Sequence, residues 1–372
     1  MVYKLDGGTV INSDGNLVIE NIYAGENAVA ASYQARSHAY QAGGYRQPGF
    51  IPPYFPISSS QLGKYTFASS SVAEANTRDF NSQGSIYASS QNNREYGYIS
   101  GGTQSISGPP PSRGSNTIDK FQLANDNRGT DQGDLTTRKY YASGHSSSTN
   151  GYVTGGTGQP FNSFFNDIEK FPFATEANAA DVADLILYVE ELASGVSSST
   201  HGYTTGGYDA TAYVNDPSQP LPSSALTNVI QKFPFSSDTN ATDVGDLAAG
   251  SDASPTSPPS APGIYSLGCN LSSFTNGYLA GGKTTFPLGT IDFIQKFPFA
   301  TDENAVDHGG TLIAGNYTRS GSSSYEHGYV TGLGGSIPDV TIQRFSFAAS
   351  ANAADVGDLA AFSRDGIGMQ GE

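Results

Sequence analysis

The stretch "STNGYVTGG" at residues 148–156 decides the fold, because the chain contains six versions of it. The close copies are "STHGYTTGG" at 199–207, "FTNGYLAGG" at 274–282 and "YEHGYVTGL" at 325–333; the looser ones are "REYGYISGG" at 94–102 and "RSHAYQAGG" at 36–44. A second phrase, "IEKFPFATEANAADVADL" at 168–185, alternates with the first and also has six versions. Such an alternation indicates a repeat protein in which every unit has the same local structure.

The spacing of the repeat predicts the kind of unit. One tyrosine is common to all copies of the first phrase, and its intervals are 58, 54, 51, 75 and 51 residues. These marker residues are Tyr40, Tyr98, Tyr152, Tyr203, Tyr278 and Tyr329. A period of about 50 residues matches a kelch-type propeller blade, which is a small sheet of four strands. We therefore predict an all-β, six-bladed propeller.

Each unit reads as four strands, named a to d from the axis outwards. Small residues such as those at 142–144 predict strand a, because the centre of a propeller leaves little room for side chains. Asn150-Gly151 predicts the a–b turn, since Asn-Gly supplies the positive φ values of a type I′ turn. "GYVTGG" predicts strand b and "IEKFPF" strand c, and Asn178 and Asp181 mark the turn into strand d.

The six units differ mainly on one face of the predicted propeller. From the last glycine of the first phrase to the Lys or Arg of strand c there are 20, 18, 14, 25, 14 and 9 residues. From there to the Asp of the c–d turn there are 15 residues once and 11 in the five other units. The b–c and d–a connections share a face in a four-stranded meander, and insertions often mark a binding face. Neutral drift in tolerant loops explains the same variation.

Aromatic side chains on this variable face are the candidate contact residues, because rings give a large contact area for sugars or proteins. They are Tyr45, Phe50, Tyr54, Phe55, Phe161, Phe164, Tyr208 and Tyr213. The same rings are equally suited to packing within their own loops.

Composition excludes several classes of function. The net charge of −16 opposes nucleic-acid binding, which needs clustered Lys and Arg to replace phosphate counterions. No stretch approaches the roughly 18 apolar residues that span a bilayer, so we expect no membrane insertion. The N-terminus lacks the basic and apolar regions of a secretory signal, which predicts synthesis in the cytoplasm without export.

No residue pattern indicates catalysis, a metal or a cofactor. His38, His201 and His327 occupy the hairpin position held elsewhere by Asn, which favours a turn role, and His145 and His308 stand without sequence partners. The Asp pairs of "DVGDL" lack the ligand density of a calcium loop and fit turn capping better. Cys269 and the serines of "SGHSSS" fall in strand a, where a small buried side chain is the simpler explanation than a nucleophile.

The combined phrase "GYVTGG…NDIEKFPFATEANAADVADL" resembles the kelch-like repeats of proteins encoded by tailed bacteriophages of marine cyanobacteria and related hosts. The resemblance covers residues 30–360. It implies a non-enzymatic structural or host-contact protein of a virion, located in a tail, a fibre or the capsid surface. The Trp of cellular kelch repeats and the copper constellation of galactose oxidase have no counterpart in this chain.

These observations together predict an N-terminal attachment arm at 1–27, a propeller at 28–360 and a C-terminal tail at 361–372. The tail and the small residues at 30–32 compete for the same innermost strand. The expected partners are other virion proteins, bound through the arm or the constant face, and a host surface glycan; a homo-oligomeric or symmetric assembly is also expected. A soluble kelch-type adaptor inside a cell and a carbohydrate-binding module or enzyme are the alternatives.

Overall fold

Antiparallel strands make up nearly all of the regular structure in the computed structural model of the chain. The described residues are 3–5, 8–11, 38–42, 45–46, 57–58, 61–67, 74–79, 87–103, 114–123, 128–158, 163–190, 195–218, 226–248, 268–285, 288–313, 320–331, 340–359 and 367–371. Among them, no helix has the length and apolar character needed to span a bilayer.

Five sheets have four antiparallel strands each, in the order a to d. Sheet 1 contains Ile367–Gly371, His38–Ala42, Gln61–Thr66 and Glu74–Asp79. Sheet 3 contains Ser143–Ser146, Asn150–Thr154, Asp167–Pro172 and Ala180–Asp184. Sheet 4 contains Val196–Ser197, His201–Thr205, Val229–Pro234 and Thr242–Asp246. Sheet 5 contains Cys269–Ser272, Asn276–Thr285, Leu288–Pro298 and Val306–Thr311. Sheet 6 contains Gly321–Ser323, His327–Thr331, Thr341–Ser346 and Ala354–Asp358.

Sheet 2 has six strands instead of four. Its strands a to d are Ser89–Asn92, Tyr96–Ser100, Ser115–Gln122 and Thr130–Tyr140. Two short strands from the next unit, Thr157–Gly158 and Ser163–Phe164, extend its outer edge. The chain is thus an all-β propeller with five four-stranded blades, one fewer than the sequence predicted, and the remaining repeat lies in sheet 2.

Three two-stranded pairings and one short helix complete the described structure. The pairs are Tyr3–Leu5 with Gly8–Ile11, Tyr45–Arg46 with Ile57–Ser58, and Val189–Glu190 with Tyr208–Asp209. The helix Thr211–Asn215 lies in the b–c connection of sheet 4. In the predicted arm at 1–27, the described strands pair with each other.

The innermost strands contact one another in a closed ring that runs through all six sheets. Sheet 1 receives its strand a from the C-terminal part of the chain, since Met369 lies opposite Tyr40. The competing segment at 30–32 lies outside the described residues. A Cβ on Gly144 would come within 2.1 Å of Ser90 O, and one on Gly195 within 2.2 Å of Gly144 O. This crowding accounts for the small residues of strand a.

A belt of hydrogen bonds follows the ring. The backbone N–H of Asn92 donates to Ser146 Oγ (2.9 Å), and that of Ser146 donates to Ser197 Oγ (3.1 Å). The N–H of Ser197 donates to Ser272 Oγ (3.4 Å), and that of Ser272 to Ser323 Oγ (3.1 Å). The serines that end strand a therefore join sheets 2 to 6 at four of the six junctions.

The apolar core is divided into clusters that lie between neighbouring sheets. Six clusters of buried hydrophobic residues occupy the six junctions of the ring. The cluster between sheets 3 and 4, for example, joins Tyr152, Ile168 and Leu185 to Phe233 and Ala241. Because a blade has no core of its own, each sheet needs both of its neighbours to bury its faces.

The glycine after the marker Asn has a different purpose from the one predicted. Ser147 Oγ accepts hydrogen bonds from the N–H of Thr149 and of Asn150, so the a–b turn lies over 147–150 and Asn150 begins strand b. A Cβ on Gly151 would come within 2.3 Å of Phe171 Cζ. The type I′ assignment for Asn150-Gly151 was therefore wrong: Gly151 is required because a phenylalanine ring of strand c packs against its backbone.

Candidate contact face

Two of the b–c connections begin with a short strand that pairs with the preceding unit. Thr157–Gly158 pairs with the end of strand d in sheet 2, and Tyr208–Asp209 pairs with Val189–Glu190, which follows strand d of sheet 3. These straps lie on the face that carries the variable b–c and d–a connections, which we call the b–c face. The strap over sheet 2 is long enough to turn back as Ser163–Phe164, which explains the six strands of that sheet.

The structure brings together two of the residues predicted to form a contact surface. The rings of Phe164 and Tyr213 meet edge to face, with centroids 5.8 Å apart, although they belong to the b–c connections of different sheets. Both are half-buried, as is Tyr208, whose backbone bridges to Leu226. Tyr45 lies in the short strand that pairs with Ile57–Ser58, and the side chains of this strand are outside the described set. The other predicted residues, Phe50, Tyr54, Phe55 and Phe161, lie outside the described residues.

A second aromatic group on this face was not predicted. Tyr87 and Tyr141 lie two residues before strand a of sheets 2 and 3, with ring centroids 4.2 Å apart. The Tyr140 ring lies 5.2 Å from that of Tyr141, and all three are half-buried. The sequence did offer a signal for this group, because Tyr87 and Tyr141 occupy the same position before strand a in two successive units.

A buried trio of charged residues lies beneath the same face, between sheets 2 and 3. Lys139 Nζ is 2.6 Å from Asp167 Oδ1 and 2.6 Å from Glu169 Oε1, and it faces the Phe165 ring at 4.8 Å from the centroid. The Lys139 and Glu169 side chains are fully buried, and that of Asp167 is 15% exposed. Burial raises the pKa of Asp167 to about 6, although the charge of Lys139 acts to lower it.

Neutral residues occupy the corresponding positions in the next junction, which argues for a structural role of the trio. Glu169 Oε2 accepts the N–H of Thr136 (2.6 Å), and Gln231 Oε1 accepts that of Ile186 (2.8 Å) in the same way. Gln295 and Gln343 repeat this bond in the following junctions. The backbone carbonyls of Lys139 and of the buried Val189 each accept a hydrogen bond of 2.9 Å from the N–H of a glycine in a Gly-Gly pair. Lys139 and Val189 therefore occupy corresponding positions in the two junctions. The trio thus substitutes for an uncharged contact found elsewhere in the ring.

The histidines are occupied by packing and hydrogen bonds. His145 is buried, with Nδ1 3.1 Å from Val196 O and Nε2 3.0 Å from Thr154 Oγ1. Since a carbonyl can only accept, Nδ1 carries the proton and Nε2 accepts from the threonine. Burial lowers the pKa of His145 to about 4, so the ring is neutral. His308 Nε2 is 2.9 Å from Ser346 O, and His201 takes part in the a–b turn through Ser198 Oγ.

The repeated Asn and Asp residues hold turns and neighbouring sheets together. Asp243 Oδ1 accepts the N–H of Gly245 (3.1 Å), which caps the start of strand d. Asn240 Oδ1 accepts the N–H of Asp184 in the preceding sheet (3.1 Å), and Ala241 N–H donates to the Asp184 carbonyl (2.8 Å). The same arrangement recurs at Asn178, Asn304 and Asn352. Within the described ranges, no three His, Cys, Asp or Glu side chains are grouped to bind a metal ion.

The two candidate nucleophiles of strand a are also occupied. Cys269 is fully buried, and its Sγ donates to Ser320 O at 3.4 Å. Ser146, which follows His145, accepts the belt hydrogen bond from Asn92 described above. Both side chains are therefore engaged in hydrogen bonds to a neighbouring sheet or its connection.

Comparison with known proteins gives a likeness of fold. No protein-family model matches the chain, and no curated protein matches it in sequence. Among solved structures, the chain is similar to one titled "Structure of YjhT", with a TM-score of 0.54 and 13% sequence identity. The alignment covers 76% of this chain and 86% of the other. At this identity the likeness concerns architecture alone, and it agrees with the propeller described above.

Proposed function

We propose that this chain is a non-enzymatic structural component of a phage virion, in a tail, a fibre or the capsid surface, and that it makes contacts through its b–c face. The observation that carries the proposal is that the two faces of the propeller differ in their residues. The repeated residues form ties between sheets, whereas the length variation and the predicted contact residues Phe164, Tyr208 and Tyr213 lie on the b–c face.

Six kelch-like blades are part of this proposal. Sheet 2 has the same strands a to d as the other sheets, and its two extra strands come from a strap of the next unit. The equivalent strap of sheet 4 pairs in the same register with Val189–Glu190, a separate short strand that follows strand d of sheet 3. The closed ring of six innermost strands supports counting sheet 2 as the sixth blade.

The absence of catalysis is proposed from the environment of the polar residues. Lys139 and Glu169 are fully buried at a position where other junctions carry neutral residues. A substrate would have no access to their reacting atoms. A carbohydrate-active enzyme would instead need two carboxylates in an open cleft, about 5–10 Å apart.

The expected partners and location follow from the resemblance of the repeats and from charge. Other virion proteins would bind the segment 1–27 or the face of the a–b and c–d turns, and a symmetric assembly would present the b–c face outwards. The net charge of −16 makes nucleic acid an unfavourable partner.

Quantitative mass spectrometry of purified particles, normalised to the major capsid protein, tests the proposal. We expect the chain at a fixed copy number, with hundreds of copies indicating capsid decoration and few to tens indicating a tail part. Absence from particles would reject the virion role and favour a soluble interaction adaptor in the host cell.

A further inference from the structure

Two tyrosines on the b–c face have an unfavourable backbone conformation. Tyr87 has φ of 58° and Tyr141 has φ of 60°, and no other non-glycine residue in the described part of the chain has a positive φ. A bulky residue in this region is a genuine outlier and costs about 1–3 kcal/mol. Glycine would remove that strain, so the tyrosine rings are present at a cost to the fold.

The strained residues form one aromatic group at the centre of the face. The N–H of Tyr141 donates to the carbonyl of Tyr87 at 2.9 Å, which ties two neighbouring sheets together at this point. Tyr87 and Tyr141 each lie two residues before an innermost strand, so the group lies where the b–c face meets the axis. The rings of Tyr87, Tyr141 and Tyr140 follow one another at centroid distances of 4.2 and 5.2 Å.

The aromatic surface continues outwards along sheet 2. Tyr140 lies opposite Thr157, and Thr157 lies opposite Phe164. Residues directly opposite in paired strands project to the same side of a sheet, so Tyr140 and Phe164 share one side. Phe164 then contacts Tyr213 in the b–c connection of sheet 4. We call this series Tyr87, Tyr141, Tyr140, Phe164 and Tyr213 the aromatic track.

We propose that the aromatic track binds an uncharged oligosaccharide chain lying from the axis towards the edge of the b–c face. The faces of sugar rings carry C–H groups, which are attracted to the negative face of an aromatic ring. A row of rings suits a linear polymer of rings better than a single small ligand. The net charge of −16 disfavours polyanionic glycans. This inference rests on the proposed contact function of the same face.

The test uses the full chain and five defined hexasaccharides: the neutral maltohexaose, cellohexaose, mannohexaose and galactohexaose, and the charged hexagalacturonate. Binding is measured by titration calorimetry and by saturation-transfer NMR. We expect at least one neutral hexasaccharide to bind, and hexagalacturonate not to bind.

The decisive variant is Tyr141→Gly, which removes one ring and relieves the backbone. We expect about a tenfold loss of affinity together with an unchanged or higher Tm, since glycine suits positive φ. A purely structural tyrosine would give a lower Tm instead. Phe164→Ala should weaken the hexasaccharide more than the corresponding trisaccharide, because only the longer chain extends along the track.

The matched control is Tyr325→Ser on the opposite face, where Tyr325 is 47% exposed and contacts Phe274. Serine occupies the corresponding turn positions, 148 and 199. This variant should bind sugar as the wild type does. Failure of all four neutral hexasaccharides to bind overturns the inference, and so does a Tyr141→Gly chain that binds sugar as the wild type does. A chain that is present in particles but binds no sugar would leave the proposed function standing.

Discussion

Two neighbouring junctions, between sheets 2 and 3 and between sheets 3 and 4, share their backbone hydrogen bonds. They differ in that the first buries charged side chains and the second neutral ones. The first buries Lys139 with Asp167 and Glu169, whereas the second has Val189 and Gln231 at the corresponding places. In both junctions, a side chain of strand c accepts a hydrogen bond from a backbone N–H near the end of strand d in the preceding sheet. In both, the Asn of the c–d turn also accepts a backbone N–H of the preceding sheet. The repeat therefore fixes the backbone ties between sheets and leaves the side chains of the junction free to change.

The largest expected effect comes from removing the cation of the charged junction. Lys139→Ala leaves Asp167 and Glu169 buried without a counter-charge, which should lower the free energy of unfolding by about 3–5 kcal/mol. Urea unfolding followed by circular dichroism measures the loss.

The control converts one junction into the other. A triple variant takes the residues of the next junction and consists of Lys139→Val, Asp167→Val and Glu169→Gln. It should unfold close to the wild type, because buried ion pairs are often replaced by well-packed neutral groups without loss. A triple variant as unstable as Lys139→Ala would mean that the two junctions are not equivalent.

The next largest effect is a loss of stability at low pH, caused by His145 in the neutral junction. His145 is hydrogen-bonded there to Val196 and Thr204. The folded pKa of about 4 lies below the ordinary 6.5, so the unfolded chain binds the proton first as pH falls. Stability should therefore fall by up to about 3 kcal/mol between pH 6.5 and pH 4. The comparison is with His145→Gln, which copies Gln91 at the corresponding position and should lose less.

The difference between wild type and His145→Gln isolates the histidine. The raised pKa of Asp167 has the opposite sign, since its folded form holds the proton up to a pH of about 6 and gains stability as pH falls. That contribution is common to both proteins and cancels. Parallel Tm curves for the two proteins across this range would contradict the assignment.

A smaller effect is expected from replacing the glycine that occupies the same position of strand b in sheets 3 and 4. Gly151→Ala and Gly202→Ala each place a Cβ within 2.3 Å of a Phe ring, at Phe171 and Phe233. Each should cost about 1–3 kcal/mol from overpacking, with similar values in sheets 3 and 4. Adding Phe171→Leu to Gly151→Ala should recover part of the loss, and no recovery would point to the backbone instead of the ring.

The smallest effect concerns the exposed Asn ties. Asn178→Ala and Asn240→Ala each remove one bond to the preceding sheet, and each should cost about 0.5–1 kcal/mol. Equal values are expected, because the two junctions share this tie. Glu176→Ala, an exposed change in the same turn as Asn178, is the control and should alter stability by less than about 0.5 kcal/mol.

The repeat made the strands predictable, because each phrase marks the same local structure in every unit. The capping role of the repeated Asp was also predictable, since Asp243 accepts the N–H of Gly245. The bond that Asn240 accepts from the preceding sheet was not predicted, because it depends on the packing of two sheets. The position of Gly151 was misinterpreted, because Asn-Gly is a turn signal by local propensity whereas the need for glycine arises from a ring in strand c.

The buried trio and the strained tyrosines were not predictable from one sequence. Two strands of sheet 3 and a strap lie between Lys139 and Asp167 in the chain, and only the packing of sheets 2 and 3 brings their charges together. Glycine and asparagine are the residues that indicate a left-handed backbone, and Tyr141 is neither. Residue propensity alone therefore does not predict its positive φ. Phe164 and Tyr213 were identified by type, but their contact depends on straps from two sheets.

The closing strand has a consequence for synthesis. Because Met369 lies opposite Tyr40, the first sheet to leave the ribosome must wait for its inner strand until the five others have been translated. Contacts so distant in sequence form slowly. Ring closure is therefore expected to be a late step, and nascent chains stalled before residue 367 should expose the inner edge of sheet 1 to chaperones and proteases.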